Sequence, residues 1–172
     1  MGFEFEEEIL IPKTRVAVLI GKKGATKKEL ETKGHIKLKV ASDGSVEIKG
    51  HDALEVMVAK NIIEAIGRGF NPEIAILLLK EENAYELIHM ENYIGRGKDL
   101  RRIRGVLIGK KGKTRKFLEE TTKTHISIFG KTIAIIGPAE GVSKARRAVE
   151  MFLTGAKHAT VYKFLKQNSI KG

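Results

Sequence analysis

The chain has 172 residues, of which 42% are hydrophobic and 31% are charged, and it contains no cysteine. Disulfides and thiolate metal sites are therefore excluded, and no apolar run approaches the roughly 20 residues of a membrane span. The first residues, MGFEFEEEIL, are acidic and lack the basic leader and apolar centre of a secretion signal. We therefore expect a soluble, cytoplasmic and monomeric protein that carries no cofactor and no metal.

The formal net charge is +11, with a pI near 9.8. A polyanion is then the first partner to consider, because fixed cations displace the counterions condensed on nucleic acid. A solvated lysine-rich surface is the alternative explanation of this composition. The charge is unevenly distributed, since residues 1–80 carry 13 basic against 12 acidic side chains and residues 81–172 carry 19 against 9. The positive field belongs to the second half.

The chain contains an internal repeat. VLIGKKGATKKELE at 18–31 matches VLIGKKGKTRKFLE at 106–119, with 11 of 14 positions identical at an offset of 88 residues. Because this period exceeds the roughly 20 to 50 residues of solenoid units, the repeat predicts a duplicated domain.

The similarity extends beyond this segment. If two residues are inserted in the second copy, His35 aligns with His125 and Ile36 aligns with Ile126. Further on, AKNIIEAIGRG at 59–69 resembles ARRAVEMFLTG in the second copy. Each copy is therefore one unit of about 70 to 80 residues, within the size range of small domains.

Hydrophobic periodicity predicts six elements in the first copy. They are a strand at 3–11, a short helix at 16–20, a helix at 25–33, strands at 35–40 and 45–50, and an amphipathic helix at 52–67. Pro12 ends the first strand, and Asp43-Gly44 is typical of a hairpin turn.

The second copy repeats the same order. Its elements are a strand at 84–94, a basic helical stretch ending in VLI, a helix at 113–123, strands at 125–130 and 131–137, and a helix at 140–153. Two segments lie outside the repeat. The segment 71–80 begins with Asn71 and Pro72, a helix-starting pair, and is apolar enough to be buried between the two copies. The last 17 residues place Val161, Phe164 and Leu165 at helical spacing.

These patterns predict an α+β fold of two tandem domains that form a rigid pair. The expected divisions are a first domain at 1–70, a linker helix at 71–83, a second domain at 84–155 and a C-terminal helical extension at 156–172.

Each copy carries a GKKG loop between its first two helices, at Gly21–Gly24 and Gly109–Gly112. Glycines let the backbone approach another backbone closely and accept positive φ. The N–H groups that begin the second helix, together with the loop lysines, favour a phosphate at this point. One such loop is weak evidence, but two identical loops between matching helices indicate a shared binding function.

The element order and the loops resemble the type I KH family, over residues 3–70 and 84–155. The resemblance implies that each loop clamps the backbone of about four nucleotides of single-stranded RNA while bases lie on an apolar face. That face would comprise Leu19, Ile20, Leu30, Ile36 and Leu38 in the first copy, and Leu107, Ile108, Leu118, Ile126 and Ile128 in the second. For each of these residues, a plain core position is the alternative.

One position departs from the KH pattern. Three residues after the second glycine, where the family has an aliphatic side chain, this chain has Lys27 and Arg115. The base preference of the family therefore cannot be carried over.

A narrower resemblance rests on the stretch 109–137 followed by SKARRAVEMFLTG at 143–155. These segments are similar to the archaeal and eukaryotic partner-of-Nob proteins, also called the Dim or Krr type. The resemblance implies binding to pre-rRNA near the 3′ end of small-subunit RNA during ribosome assembly and rRNA processing. It also implies a protein partner such as a pre-rRNA endonuclease, another assembly factor or a translation factor.

The predicted RNA-binding residues surround the two loops. The stretch 96–116 holds ten basic side chains against Asp99 alone, and the stretch 15–33 holds a weaker version of the same pattern. In the second copy we predict Arg101, Arg102, Arg104, Ile108, Gly109, Lys110, Lys111, Gly112, Lys113, Arg115, Lys116 and Ile126. In the first copy we predict Ile20, Gly21, Lys22, Lys23, Gly24, Lys27, Lys28 and Ile36.

No catalytic set is visible. The GKT at 112–114 lacks the earlier glycine of a nucleotide-binding P-loop, because position 107 is Leu. The five histidines have no ligand spacing, and no nucleophile, base and orienting group can be assembled. The sequence therefore favours a non-catalytic RNA-binding protein over an RNA-modifying enzyme. A KH regulator of messenger RNA or RNA decay, and a scaffold with one KH domain turned to protein binding, remain as alternatives.

Overall fold

The computed structural model describes residues 2–94 and 100–168. The chain divides into two compact units, residues 1–81 and residues 82–172. No helix in these two ranges is long and apolar enough to cross a membrane.

The first unit has three strands and four helices. They are β1 (Phe5–Leu10), α1 (Lys13–Ile20), α2 (Ala25–Gly34), β2 (Ile36–Val40), β3 (Ser45–Gly50), α3 (Ala53–Gly67) and the short α4 (Pro72–Ala75), which continues as a 3-10 turn (Ile76–Leu79). The sheet is antiparallel in the order β1-β3-β2. The central strand β3 alternates, so that Val46 and Ile48 face the core formed with the helices.

Local chemistry sets several element boundaries in the first unit. The side chain of Asp52 accepts hydrogen bonds from the N–H groups of Leu54 and Glu55, so it caps the start of α3. At the hairpin, Gly44 has a φ of 100°, and a Cβ there would lie 2.1 Å from the Ile11 carbonyl oxygen. Only glycine fits this turn.

The second unit repeats this architecture. Its elements are β4 (Asn83–His89), a 3-10 turn (Met90–Asn92), α5 (Leu100–Ile108), α6 (Lys113–Thr122), β5 (His125–Phe129), β6 (Thr132–Pro138), α7 (Ala139–Leu153) and α8 (His158–Gln167). The antiparallel order is β4-β6-β5. The predicted α+β fold with strand, helix, helix, strand, strand and helix in each copy is confirmed. The first helix is longer than predicted, since it begins at Lys13.

The alignment with a two-residue insertion was wrong. His35 and Lys123 occupy the same left-handed position after α2 and α6, with φ and ψ of 56° and 43° against 56° and 44°. The carboxylate of Glu31 accepts a hydrogen bond from Leu38 N, and Glu119 accepts one from Ile126 N, each at 2.9 Å. The offset of 88 residues therefore continues into the strand without an insertion.

The structural equivalents follow from that offset. Ile36 corresponds to Thr124, and His35 corresponds to Lys123 rather than to His125. His35 ends a helix, whereas His125 begins β5. The sequence alignment paired these two histidines because the residues around them are similar, although one follows a helix and the other begins a strand.

The segments that seemed to lie outside the repeat belong to it. Phe70 N donates to Ala65 O at 3.1 Å, and Ala156 N donates to Met151 O at 2.9 Å, which makes the chain reversals after α3 and α7 equivalent at an offset of 86 residues. Helix α8 thus corresponds to α4 and its 3-10 turn. The sequences had diverged too far, one apolar all round and the other amphipathic, for self-comparison to find this.

The apolar segment after α3 packs within the first unit. Helix α4 and its 3-10 turn contact α3, and the turn also contacts α2. Ala75 and Leu78 are buried there. Because this packing accounts for the apolar residues, they no longer supply a reason for a rigid pair, which stays a prediction.

Candidate nucleic-acid interface

The two GKKG loops have the same backbone conformation. Gly21 and Gly109 have φ and ψ of 75° and 174° against 74° and 171°. Gly24 and Gly112 are both left-handed, at 77° and 12° against 75° and 13°. The duplicated sequence therefore builds one loop geometry twice.

The first glycine of each loop is required by packing. A Cβ at Gly21 would lie 2.2 Å from Thr26 Oγ1, and a Cβ at Gly109 would lie 2.2 Å from Thr114 Oγ1. Both glycines also have positive φ. Sequence reasoning missed these threonines, although a threonine follows the second glycine by two residues in both copies.

The second glycine of each loop faces open space. A Cβ at Gly24 or at Gly112 would meet no atom within 4 Å. The helices that follow, α2 and α6, each have ten residues and no side-chain hydrogen bond capping the N-terminus. The N–H groups of Ala25 and Lys113, which begin these helices, donate to the carbonyl oxygens of Lys22 and Lys110. The attraction for an anion at this point therefore comes from the helix dipole and the exposed loop lysines.

A lysine in each loop has an unfavourable backbone conformation. Lys23 and Lys111 have φ of 54° and 55°, in the left-handed region that non-glycine residues seldom adopt. Such strain is typical of functional positions, because the surrounding structure must maintain it. All four loop lysines are exposed, and none pairs with a carboxylate in the part of the chain that the structure describes.

Most of the predicted apolar face is core. Ile36 and Ile126 are 6% and 3% exposed, so the structure places these two predicted RNA-binding residues inside the units. The other buried members of that face are Leu19, Leu30, Leu38, Leu107 and Leu118. Ile20 and Ile108 are half-buried beside the loops, and Ile128 is half-buried in β5. Ile20 and Ile108 are therefore the apolar side chains that a base beside the loop could reach.

The basic residues after each loop differ in their partners. Lys28, Lys113 and Lys116 are exposed, and Lys27 is half-buried. Arg115 lies between α6 and β5, where Nη1 is 3.6 Å from Glu119 Oε1 and donates to Ile126 O at 3.4 Å. Arg115 therefore holds the helix to the strand as well as carrying charge beside the loop.

Arg15, the first basic residue of the stretch 15–33, has a structural role. Its guanidinium donates to the carbonyl oxygens of Ile66 at 2.8 Å and Phe70 at 2.9 Å. Burial lowers the pKa of Arg15. The Arg15 side chain therefore binds backbone carbonyls at the end of α3 and stabilises the chain reversal there.

Helix α5 carries predicted arginines upstream of the second loop. Helical spacing places Arg101, Arg104 and Ile108 on one face. Arg101 and Arg102 are exposed, while Arg104 is half-buried. Arg96, Lys98 and Asp99 of the basic stretch 96–116 lie outside the described residues.

Helix α8 packs against helix α6 next to the second loop. Tyr162 of α8 stacks on Phe117 of α6 with ring centroids 4.3 Å apart, and its hydroxyl donates to Thr114 Oγ1 at 3.5 Å. Thr114 is 3% exposed, whereas Thr26 in the first unit is half-buried. The same loop is therefore backed by an aromatic contact in the second unit.

The fold and the two loops define a protein with two type I KH domains. A model described as a eukaryotic type KH domain (KH-domain type I) matches residues 84–170, and a KH domain model matches residues 6–65. The KH domain-containing protein MJ0443 of Methanocaldococcus jannaschii is 47% identical over 99% of this chain and 78% of that protein.

Solved structures give the same relationship. Dim2p from Pyrococcus horikoshii superposes with a TM-score of 0.89 and 42% identity, over 95% of this chain and 99% of that one. A complex of a/eIF2alpha, aDim2p and rRNA from the same organism superposes with a TM-score of 0.89 and 43% identity, over 95% and 93%.

A eukaryotic relative is longer. The pre-rRNA-processing protein PNO1 of Chaetomium thermophilum is 29% identical over 64% of this chain, which spans 44% of that protein. The chain belongs to the Dim2p/PNO1 family of KH-domain proteins, related to factors of ribosome biogenesis. It is an RNA-binding KH protein.

Proposed function

We propose that the chain binds single-stranded RNA through both GKKG loops, without catalysis, near the 3′ end of small-subunit rRNA during ribosome assembly. The observation that carries this proposal is the pair of superposable loops. Each has an open second glycine, exposed lysines and no side chain capping the helix that follows. This arrangement suits a phosphodiester backbone, which the family clamps over about four nucleotides.

The choice of rRNA rests on relatives. The Pyrococcus protein has been crystallised with rRNA, and the Chaetomium protein is named for pre-rRNA processing. The Pyrococcus complex also contains a/eIF2alpha, which supports a translation factor as a protein partner here. A pre-rRNA endonuclease is a further candidate partner.

The decisive experiment sequences RNA crosslinked to the protein in cells. Reads concentrated at the 3′ end of small-subunit rRNA would support ribosome assembly, and scattered messenger reads would contradict it in favour of a regulator of messenger RNA. A variant with Gly24→Asp and Gly112→Asp is the matched control, because a Cβ at either glycine meets no atom within 4 Å and aspartate adopts the left-handed φ of these positions more readily than most residues. Crosslinking that persists in this variant would contradict the two-loop clamp.

The absence of catalysis has its own test. We expect the purified protein to leave a labelled RNA of the 3′ region intact over hours, with or without divalent metal. Cleavage that copurifies through stringent washing and persists in the double loop variant would overturn this part of the proposal.

The rigid pair predicted from the sequence bears on the length of RNA bound. If both units tumble as one body, we expect a continuous site for roughly eight nucleotides, twice the four of a single domain. Backbone ¹⁵N relaxation measures this directly. Different rotational correlation times for the two units would contradict a rigid pair.

A further inference from the structure

A cleft lies beside the first GKKG loop, between the pair α1–α2 and the helix α4. Its volume is about 270 Å³, and its lining residues are Val18, Thr26, Glu29, Leu30, Pro72, Glu73 and Ile76. Sites for small molecules occupy roughly 300–1,000 Å³. The cleft is therefore the right size for one large side chain rather than for a cofactor.

The second unit has the same positions, and there the space is filled. By the offsets of 88 and 86 residues, Phe117 stands in place of Glu29 and Tyr162 in place of Ile76, while His158 replaces the proline. The rings of Phe117 and Tyr162 have centroids 4.3 Å apart, and those of His158 and Tyr162 are 5.9 Å apart. The duplicated fold thus shows which chemistry this cleft accepts.

Two polar contacts orient the aromatic side chains in the second unit. Tyr162 OH donates to Thr114 Oγ1 at 3.5 Å, and His158 Nε2 lies 3.3 Å from Val106 O. A tyrosine ring can therefore lie against the helix pair with its hydroxyl toward the threonine that packs on the loop. In the first unit the corresponding Thr26 lines an open cleft instead.

The rim of the first cleft is acidic. Glu29 and Glu73 are exposed, at positions where the second unit has Phe117 and an alanine. Lys33 Nζ lies 3.0 Å from Glu29 Oε1, but within the described ranges Glu73 has no ion pair, so negative charge remains at the rim. The carboxylate of Glu73 can therefore attract a cationic side chain of a partner peptide.

We propose that this cleft binds a tyrosine of a partner protein, flanked by lysine or arginine. The ring would fill the apolar floor, its hydroxyl would reach Thr26, and the basic neighbours would meet the two carboxylates. The second unit provides an internal example, since Tyr162 of α8 is followed by Lys163. The proposal does not rest on RNA binding, because the cleft, its lining and its filled counterpart in the second unit carry it.

The test uses the peptide acetyl-Lys-Tyr-Lys-amide and methyl NMR of the full chain. We expect saturable shifts at the methyl groups of Val18, Leu30 and Ile76. The dissociation constant should be at least ~5-fold lower than for acetyl-Lys-Ala-Lys-amide, as the stacking of one ring allows. No shift, or an equal response to the alanine peptide, would overturn the proposal.

A variant that fills the cleft provides the matched control. Glu29→Phe with Ile76→Tyr copies the second unit, which shows that these residues pack in this fold, and should abolish the peptide response. Glu29→Gln with Glu73→Gln should weaken binding roughly 3-fold, and Val106 should not respond in any sample. Undiminished binding to the filled variant would contradict the site. Parallel RNA titrations report separately on the proposed RNA function, so the two proposals can fail independently.

Discussion

The two units have the same backbone fold but differ in net charge and in the side chains that pack behind the GKKG loop. Their GKKG loops agree within a few degrees in φ and ψ, although residues 1–80 carry a nearly balanced charge and residues 81–172 carry 19 basic against 9 acidic side chains. The second loop is backed by Tyr162 and the first adjoins an open cleft. After duplication, the charge around the loop and the side chains that pack behind it can therefore change while the loop geometry stays the same. This is because both depend on residues outside the loop.

This comparison predicts different binding roles for the two units. Phosphate neutralisation supplies most of the non-specific affinity for nucleic acid. We therefore expect the second unit to dominate RNA binding and the first to combine weaker RNA binding with a protein contact.

The largest expected effect concerns stability, and it sharpens the charge comparison by testing whether one cation of the first unit is structural rather than an RNA contact. Arg15→Ala should lower the free energy of unfolding of the first unit by about 2–3 kcal/mol, because two hydrogen bonds from a charged donor are lost at the end of α3. Urea denaturation measures the change. The control Lys13→Ala, at an exposed residue on the same helix, should shift it by less than ~0.5 kcal/mol. Unchanged stability with a lower RNA affinity would instead make Arg15 a phosphate contact.

The next effect tests which loop dominates. Changing Lys110 and Lys111 to Asp should reduce RNA affinity at least ~10-fold, or about 1.4 kcal/mol, because the loop lies among several coupled basic residues. It should also flatten the salt dependence, whose slope is near −0.7 per single-strand contact.

The matched variant changes Lys22 and Lys23 to Asp. Its loss of affinity should be smaller, and most of the salt slope should remain. Titrations of both variants on one unstructured RNA at three salt concentrations decide the question. Equal losses, or a larger loss from the first loop, would show that the uneven charge does not determine which unit binds RNA.

The sequence was sufficient for the loops and for the element order. The identical VLIGKKG segments and the period of apolar residues identify the helices and strands, because both depend on local preferences. It was not sufficient for the role of individual cations. Arg15 looks like a phosphate ligand until the chain reversal after α3 brings the Ile66 and Phe70 carbonyls to it from more than 50 residues away.

The sequence also could not predict which apolar residues are buried or which diverged segments are structurally equivalent. Ile36 and Ile126 have the side chains expected of a base-binding face, yet both lie in the core, because residue type alone does not tell which side of a strand the helices cover. Helices α4 and α8 share a position but no recognisable sequence. Only their backbone hydrogen bonds after α3 and α7 reveal the equivalence.

A smaller effect compares the strained lysines. Lys111→Gly should raise the free energy of unfolding by about 0.5–1 kcal/mol, because glycine tolerates the φ of 55° that lysine does not. RNA affinity should fall roughly 3-fold with the lost phosphate contact. Lys23→Gly is the control, with the same gain in stability and a smaller loss of affinity. A variant that is stabilised and still binds RNA fully would show that the strain serves no binding role.

The smallest effect tests the support of the second loop by α8. Tyr162→Phe keeps the stacking on Phe117 and removes only the hydroxyl that donates to Thr114 Oγ1 at 3.5 Å, a long and therefore weak hydrogen bond. We expect the free energy of RNA binding to weaken by about 0.5 kcal/mol or less, which is a roughly 2-fold loss of RNA affinity.

The controls change the threonine on which the hydroxyl acts. Thr114→Val removes the same bond from the other side, so the effects of Tyr162→Phe and Thr114→Val on RNA affinity should not add in the double variant. Thr26→Val, which has no tyrosine partner, should leave RNA affinity within about 1.5-fold of the wild type, well inside the 10-fold that 1.4 kcal/mol represents. Additive losses for Tyr162→Phe and Thr114→Val would mean that α8 does not act on the loop through this contact, and the difference in loop support between the units would then have no effect on binding.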